Sequence, residues 1–244
     1  GGAATGGDTE FYVADPADLP AVDAEIVVWG EDPQVVEWLA KNNIRHRPFD
    51  AKTMPSRQAI LALKPPQENP AAAFVELARH MACGSTVIFL SPSTLARDQA
   101  PTGWLPLANK GTHAEMSNWL YHKDEWCKEH PIFDGLPSRC LMDYTFYREL
   151  ISDNVFYGEV PHEVIAAATQ ASIWYGSGFL VGSYRFNEGR FLVNALLVRE
   201  NLGQHPVADR LLRNMLRWAA SEMDKPLAAL PADFETQLQA IGYR

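Results

Sequence analysis

Ser91, His205 and Glu200 can be written as a nucleophile, a base and an orienting carboxylate. A hydroxyl or thiol attacks well only where a strained turn after a strand exposes it and a neighbouring base takes its proton. Thr86-Val87-Ile88-Phe89-Leu90 reads as a buried strand and runs into Ser91-Pro92-Ser93-Thr94. No cysteine and no G-x-C-x-G stands there, and Cys83 precedes the strand, at the wrong end. Pro92 would distort the elbow, and it lacks the amide that could stabilise an oxyanion. Beyond the last strand stands Glu200-Asn201-Leu202-Gly203-Gln204-His205. No residue is expected to be catalytic.

Other chemistries fare no better. Glycoside hydrolysis needs two carboxyl groups facing each other, about 5 Å or 6.5–9.5 Å apart. Asp124, Glu125, Asp134 and Asp143 are the least arbitrary choices, and as loop carboxylates they read first as solvated groups and turn caps. The histidines (His46, His80, His113, His122, His130, His162 and His205) show no H-E-x-x-H, so no metal site is expected. Trp29-Gly30-Glu31-Asp32 puts two acids where a phosphate would sit, and Gly176-Ser177-Gly178 precedes a strand rather than a helix. No cofactor is expected. Two binding candidates remain. In open α/β sheets a ligand lies outside the carboxyl ends of the strands, which here means Trp29, Glu31, Asp32, Asp50, Ser91, Ser93, Asn194, Glu200 and Asn201. Trp104, Trp119 and Trp126 could form an aromatic platform for a sugar, or serve as core.

The whole chain sets limits on partners. It has 244 residues, 47% hydrophobic and 21% charged, with a formal net charge of -9. That balance supports a real core. Its acidity disfavours nucleic acid, and no apolar run reaches the roughly 18 residues of a membrane helix. Cys83, Cys127 and Cys140 have no CxxC spacing; they read as free thiols, with one Cys127–Cys140 bridge as the alternative. Residues 1–20, opening on Gly1-Gly2-Ala3-Ala4, read as a flexible linker of a longer polypeptide.

The elements that must position these residues alternate strand and helix. Glu25-Ile26-Val27-Val28-Trp29-Gly30 is a buried strand, followed by an Asp32-Pro33 helix start. A weaker strand runs from Ile44 to Phe49, a third from Ala59 to Leu63, and Asn69-Pro70 opens a helix that Gly84 stops. The strand at Thr86–Leu90 follows. Residues 96–160 carry many aromatics without a period and read as an insertion packed over one end of the sheet. Strands then resume at Glu163–Ala168, Gly178–Phe186 and Arg190–Val198, the last two joined by a turn at Asn187-Glu188-Gly189. Pro206–Ala220 is an amphipathic helix. The expectation is an α/β fold with an open, mostly parallel, doubly wound flavodoxin-like sheet, forming one domain over residues 21–244.

Three stretches carry a resemblance. His130-Pro131-Ile132-Phe133-Asp134-Gly135-Leu136-Pro137, the pair Gly182-Ser183-Tyr184 and Glu188-Gly189-Arg190-Phe191-Leu192-Val193-Asn194, and the helix from Ala208 to Ala219 resemble elements of class I glutamine amidotransferase-like domains, including the ThuA-like group. With the early strand–helix steps the likeness spans about residues 25–220. It implies a module of the kind appended to secreted or periplasmic glycoside hydrolases, with export, and other domains or a second copy as partners. A carbohydrate is the implied ligand. The family's catalytic Cys and His/Glu are missing here. The function expected is therefore a non-catalytic accessory module acting in domain packing, assembly or sugar contact. The alternative is an independent carbohydrate-binding or glycoside-hydrolysing protein that uses the strand-end crevice.

Overall fold

A computed structural model describes residues 6–7, 11–116, 123–171 and 175–243. The parallel half of the sheet comes from the early alternation. β1 (Ile26–Trp29), β3 (Ala59–Ala62) and β4 (Thr86–Phe89) are buried at every position, which is why they read as continuous apolar runs. β2 (His46–Pro48) is a half-exposed edge, so its arginine at 47 can face water and pair with Glu25 at 2.9 Å. α1 (Pro33–Lys41) starts as expected, with Asp32 capping the amides of Gln34 and Val35 and proline at the first helical position. α2 (Pro70–Ala82) is capped by Asn69 and stops before Gly84.

β11 (Gly189–Asn194) joins β4 in parallel, so five strands run β2-β1-β3-β4-β11 with every pairing parallel. This is the flavodoxin-like order. Beyond β11 the same sheet turns antiparallel through β10 (Tyr175–Phe186) and β9 (Glu163–Ala171). The aromatic stretch supplies β6 (Asp124–Cys127) and β7 (Cys140–Leu141), which extend that edge. It also supplies β5 (Thr112–Glu115) and β8 (Asn154–Tyr157), which pair with each other and, through β8, with β10. The insertion therefore lengthens the sheet, where sequence reasoning expected it to sit over one end. It also holds α3 (Tyr144–Tyr147). β11 ends at Asn194 rather than Val198, because the Asn194 amide bonds both backbone groups of Leu196 and curls the chain.

α4 (Pro206–Ala220) packs against β3 and β4 and buries Leu211, Leu212, Met215 and Leu216. Each such side chain contributes roughly 1.5–3 kcal/mol of transfer free energy. The His130–Gly135 stretch docks on this helix. Ile132 and Phe133 are buried, and the Asn214 side chain donates to the carbonyls of Ile132 and Asp134 at 3.0 and 2.9 Å. The stretch that carries the family resemblance thus anchors α4. α5 (Phe234–Ala240) closes the described chain and buries Phe234 and Leu238.

Cys127 and Cys140 stand opposite each other on β6 and β7 as free thiols, one buried and one exposed. Burial, with the neighbouring Cys140, pushes the Cys127 thiol up to about 11, and burial also raises Cys83. The thiolate is the reactive form. Iodoacetamide at pH 8 is therefore expected to alkylate Cys140 in the native protein, and Cys83 and Cys127 only after unfolding. Peptide mass spectrometry over time checks this, and equal native rates at all three would contradict it.

Candidate functional site

The ends of β1, β3 and β4 converge on a crevice of about 200 Å³, floored by Leu63 and Leu90 and lined by Asp32, Lys64, Ser91, Ser93, Arg199 and Glu200. Its first wall is a tight turn. Gly30 has φ +81°, and a Cβ there would stand 2.0 Å from the Lys64 carbonyl, which accepts from the Glu31 amide at 3.0 Å. Only glycine fits that approach. It brings the turn after β1 against the turn after β3 and sets Lys64 at the rim.

The second wall is electrostatic. Arg199 reaches Asp32 through two bonds, Nε to Oδ2 at 2.8 Å and an Nη to Oδ1 at 3.2 Å. Burial alone would raise the Asp32 carboxyl. The hydrogen bonds and charge of Arg199, with the amides of Val35 and Gln34, outweigh it and hold the group below the ordinary carboxylate range. Asp32 is thus fully committed. Glu200 is the crevice carboxylate with no such clamp.

Ser91 stands at the turn after β4, where the sequence offers a possible nucleophile. Its backbone is plainly extended (φ -134°, ψ 143°), Pro92 follows, and its hydroxyl lies 3.1 Å from that of Ser93. His205 is elsewhere engaged, its Nδ1 accepting from the Val207 amide as the cap of α4. No Ser91–His205 bond exists, so the paper triad does not assemble.

Ser91, Ser93 and Glu200 also border a second groove of about 310 Å³. Its other side is more apolar, with Pro92, Ala96, Pro101 and Leu196, and His113 lies along it. The His113 ring packs on Phe156 at 4.9 Å, and its Nε2 is buried without a hydrogen-bond partner. Burial lowers its pKa, so it is neutral at physiological pH. The two hollows together give a polar trough with one apolar flank.

Several expected site residues lie elsewhere. Trp29 is 2% exposed and packs edge-on against Phe74, so its ring belongs to the core. Glu31 is exposed and contributes only its backbone to the turn. Asn194 gives its amide to the carbonyls of Leu90 and Leu196 and accepts from the Leu196 amide, leaving nothing for a ligand. Asn201 is likewise tied to the carbonyls of Glu149 and Leu197. Trp104 is buried, stacked 4.7 Å from Phe74 with Arg97 over its ring at 4.3 Å. Trp126 is half-buried on β6, and Trp119 lies outside the described residues. Trp104 therefore offers no open face for a sugar. Of the insertion's carboxylates, Asp124 and Glu125 border one hollow, with Glu125 buried against Lys123 at 3.1 Å, and Asp143 caps α3. Among the described residues no group of three or more His, Cys, Asp or Glu could hold a metal ion, and no helix could cross a membrane.

Lys64, Arg199 and His113 were not expected at the trough. Arg199 pairs with a residue 167 positions away, and no local pattern signals that. The only hint was Asp32, an acid at the end of a central strand.

No protein-family profile matches the chain, and no curated protein matches it. Among solved structures, a ThuA-like protein from Bacteroides uniformis aligns over 88% of this chain and 98% of its own, at 14% identity and TM-score 0.47. A β-galactosidase from Bacillus circulans sp. alkalophilus aligns over 82% of this chain at 15% identity and TM-score 0.43. Another, from Rahnella sp. R3, aligns over 86% at 12% identity and TM-score 0.39. The chain spans about a third of each β-galactosidase, 32% and 33%. The strand order, rather than these likenesses, defines the fold.

Proposed function

We propose that this chain is a non-catalytic amidotransferase-like module that works beside a carbohydrate-active enzyme, in domain packing or assembly and with its trough available to sugar hydroxyls. One observation carries the reading. The nucleophile position at the end of β4 holds Ser91 in extended backbone, bonded to Ser93 and followed by Pro92, while His205, the base the sequence offers, is bonded to the Val207 amide. Hydrolysis by two carboxylates lacks its second member, because Asp32 is held by Arg199 and the helix amides. Ser91, Ser93, Lys64 and Glu200 are a mixed set of donors and acceptors suited to hydroxyl groups. The link to carbohydrate rests on the sequence resemblance at residues 130–137 and 182–219.

The purified chain is expected to release no ammonia from glutamine and no nitrophenol from a panel of nitrophenyl glycosides, at any pH from 5 to 9. Turnover that disappears in Ser91→Ala or Glu200→Gln would overturn the non-catalytic reading. For sugar contact, oligosaccharide titration followed by NMR should shift resonances of Ser91, Ser93 and Glu200; shifts confined to other surfaces would refute that part.

A further inference from the structure

The opposite end of the sheet holds a second cavity, of about 340 Å³, at the amino ends of β4 and β11. Four cationic side chains line it, Arg57, Arg185, Arg190 and Lys225, against two carboxylates, Glu188 and Glu222. An excess of positive charge at one place is notable in a chain whose formal net charge is -9. It is not explained by composition.

The two central arginines are fixed in place. Arg57 is 7% exposed, and its Nε donates to the Pro226 carbonyl at 2.8 Å. Its Nη1 donates to the carbonyls of Gly84 and Glu188 at 3.4 and 3.0 Å. The guanidinium lies directly on Gly84 (φ +114°), where a Cβ would meet it at 2.5 Å. Arg190 donates from Nε to the Thr86 hydroxyl at 3.3 Å, and from Nη2 to the Trp218 carbonyl and the Ser221 hydroxyl at 2.7 and 2.9 Å. Its guanidinium lies over the Trp218 ring at 3.9 Å.

A guanidinium carries five N–H donors in a planar fork. In each arginine the Nε and one Nη are committed, and the other Nη is not. Nη2 of Arg57 has only a Glu188 oxygen at 4.0 Å, and Nη1 of Arg190 only a Glu222 oxygen at 3.8 Å. Both are beyond hydrogen-bond reach. Glu222 is shared with Lys225, and Glu188 is largely in water. Arg185 forms no ion pair among the described residues. The structural ties of Arg57 and Arg190 therefore use one side of each fork, and both residues line the cavity.

We propose that this cavity is a binding site for a multivalent oxyanion, a phosphate or sulfate group, gripped by Nη2 of Arg57 and Nη1 of Arg190 with Arg185 and Lys225 at the mouth. Two forks immobilised by backbone carbonyls and an aromatic ring lose little entropy when an anion arrives, which favours arginine for planar recognition of oxyanions. The cavity is larger than a bare phosphate needs, so the group can be carried on a small molecule. The assignment is independent of the function proposed for the trough.

The test is calorimetric titration of the purified chain with inorganic phosphate and with sulfate, at constant ionic strength set by sodium chloride. Saturable one-to-one binding is expected, retained in chloride. Arg185→Ala and Lys225→Ala, both at exposed positions, should each weaken it by up to about fivefold. Arg190→Lys keeps the charge but loses the fork and should weaken it about tenfold. Circular dichroism confirms that each variant is folded. Glucose 6-phosphate binding more tightly than phosphate would show a carried group, and equal affinity a free anion. Absence of saturation, or saturation unchanged in all three variants, would overturn the proposal.

Discussion

Replacing Asn194 by aspartate is expected to destabilise the protein more than replacing it by alanine at pH 8, and to recover part of that loss at pH 5. The side chain is 1% exposed, and its two N–H donors meet the carbonyls of Leu90 and Leu196, each at 2.8 Å. Its oxygen accepts from the Leu196 amide at 3.2 Å. The tie joins the end of β4 to the end of β11 and turns the chain away from the sheet. Alanine leaves the Leu90 carbonyl and the Leu196 amide without this partner, at about 1–3 kcal/mol for each buried group that water does not reach, while the Leu196 carbonyl keeps the Val198 amide. A total loss of about 3–5 kcal/mol follows, enough to lower Tm by roughly 6–20 °C at this chain length.

Aspartate keeps the shape and reverses the chemistry. The oxygen that replaces Nδ2 would face the two carbonyl oxygens with no proton between them, while the other still accepts from the Leu196 amide. Protonation restores one donor, so the introduced carboxyl should have a folded-state pKa above its unfolded value near 3.9. A group raised in the folded state favours folding below its unfolded pKa and loses that contribution as pH rises through the folded one. The gap between wild type and N194D should therefore narrow from pH 8 towards pH 5 and below. Urea unfolding of both proteins at each pH measures it. A gap independent of pH would mean that the side chain is hydrated, and the tie would have to be rejected.

Asn194 also shows where sequence reasoning about the site ends. A polar residue interrupting a buried strand must find partners, and that much is visible in Phe191-Leu192-Val193-Asn194-Ala195. Whether the partner is backbone or ligand depends on where Leu90 and Leu196 lie, which is a tertiary fact. Trp29 raises the same difficulty, since a strand covered on both faces can end with its last ring in the core. The parallel half was legible because β1, β3 and β4 are apolar throughout, with Asp32-Pro33 and Asn69-Pro70 marking the helices. Residues 96–160 were not. β5, β6, β7 and β8 have four residues or fewer, too short for a period to register. Two of them pair with strands far along the chain, β6 with β9 and β8 with β10. Aromatic density there indicated burial area without indicating which rings face outward. The rule that ligands lie beyond strand ends pointed to Ser91, Ser93, Asp32 and Glu200, which line the crevice. Lys64 and Arg199 needed the fold.

The Asp32–Arg199 pair supplies the second large effect, and it separates two roles that one carboxylate performs. Asp32→Ala removes the cap of α1, typically about 1 kcal/mol, and a two-point charge-assisted contact. Arg199 stays about a third exposed, so water takes over part of its solvation and the pair's share is discounted accordingly. A loss of about 2–3 kcal/mol is expected, or roughly 4–12 °C in Tm. Asp32→Asn keeps an oxygen for the Gln34 and Val35 amides and loses the charge, so it should cost about half as much. The pH dependence has the opposite sign to that of N194D. Asp32 is depressed in the folded state, so its contribution is present above the unfolded pKa near 3.9 and is lost as pH falls through the folded value. The difference between wild type and D32A should hold steady from pH 8 to pH 5 and shrink in stronger acid. If D32N is as damaging as D32A, the charge pair rather than the cap holds the crevice wall, and 0.5 M salt should then weaken wild type more than either variant. If D32N is nearly neutral, Arg199 is dispensable for folding, and its clamp on Asp32 is best understood as shaping the trough beside Glu200.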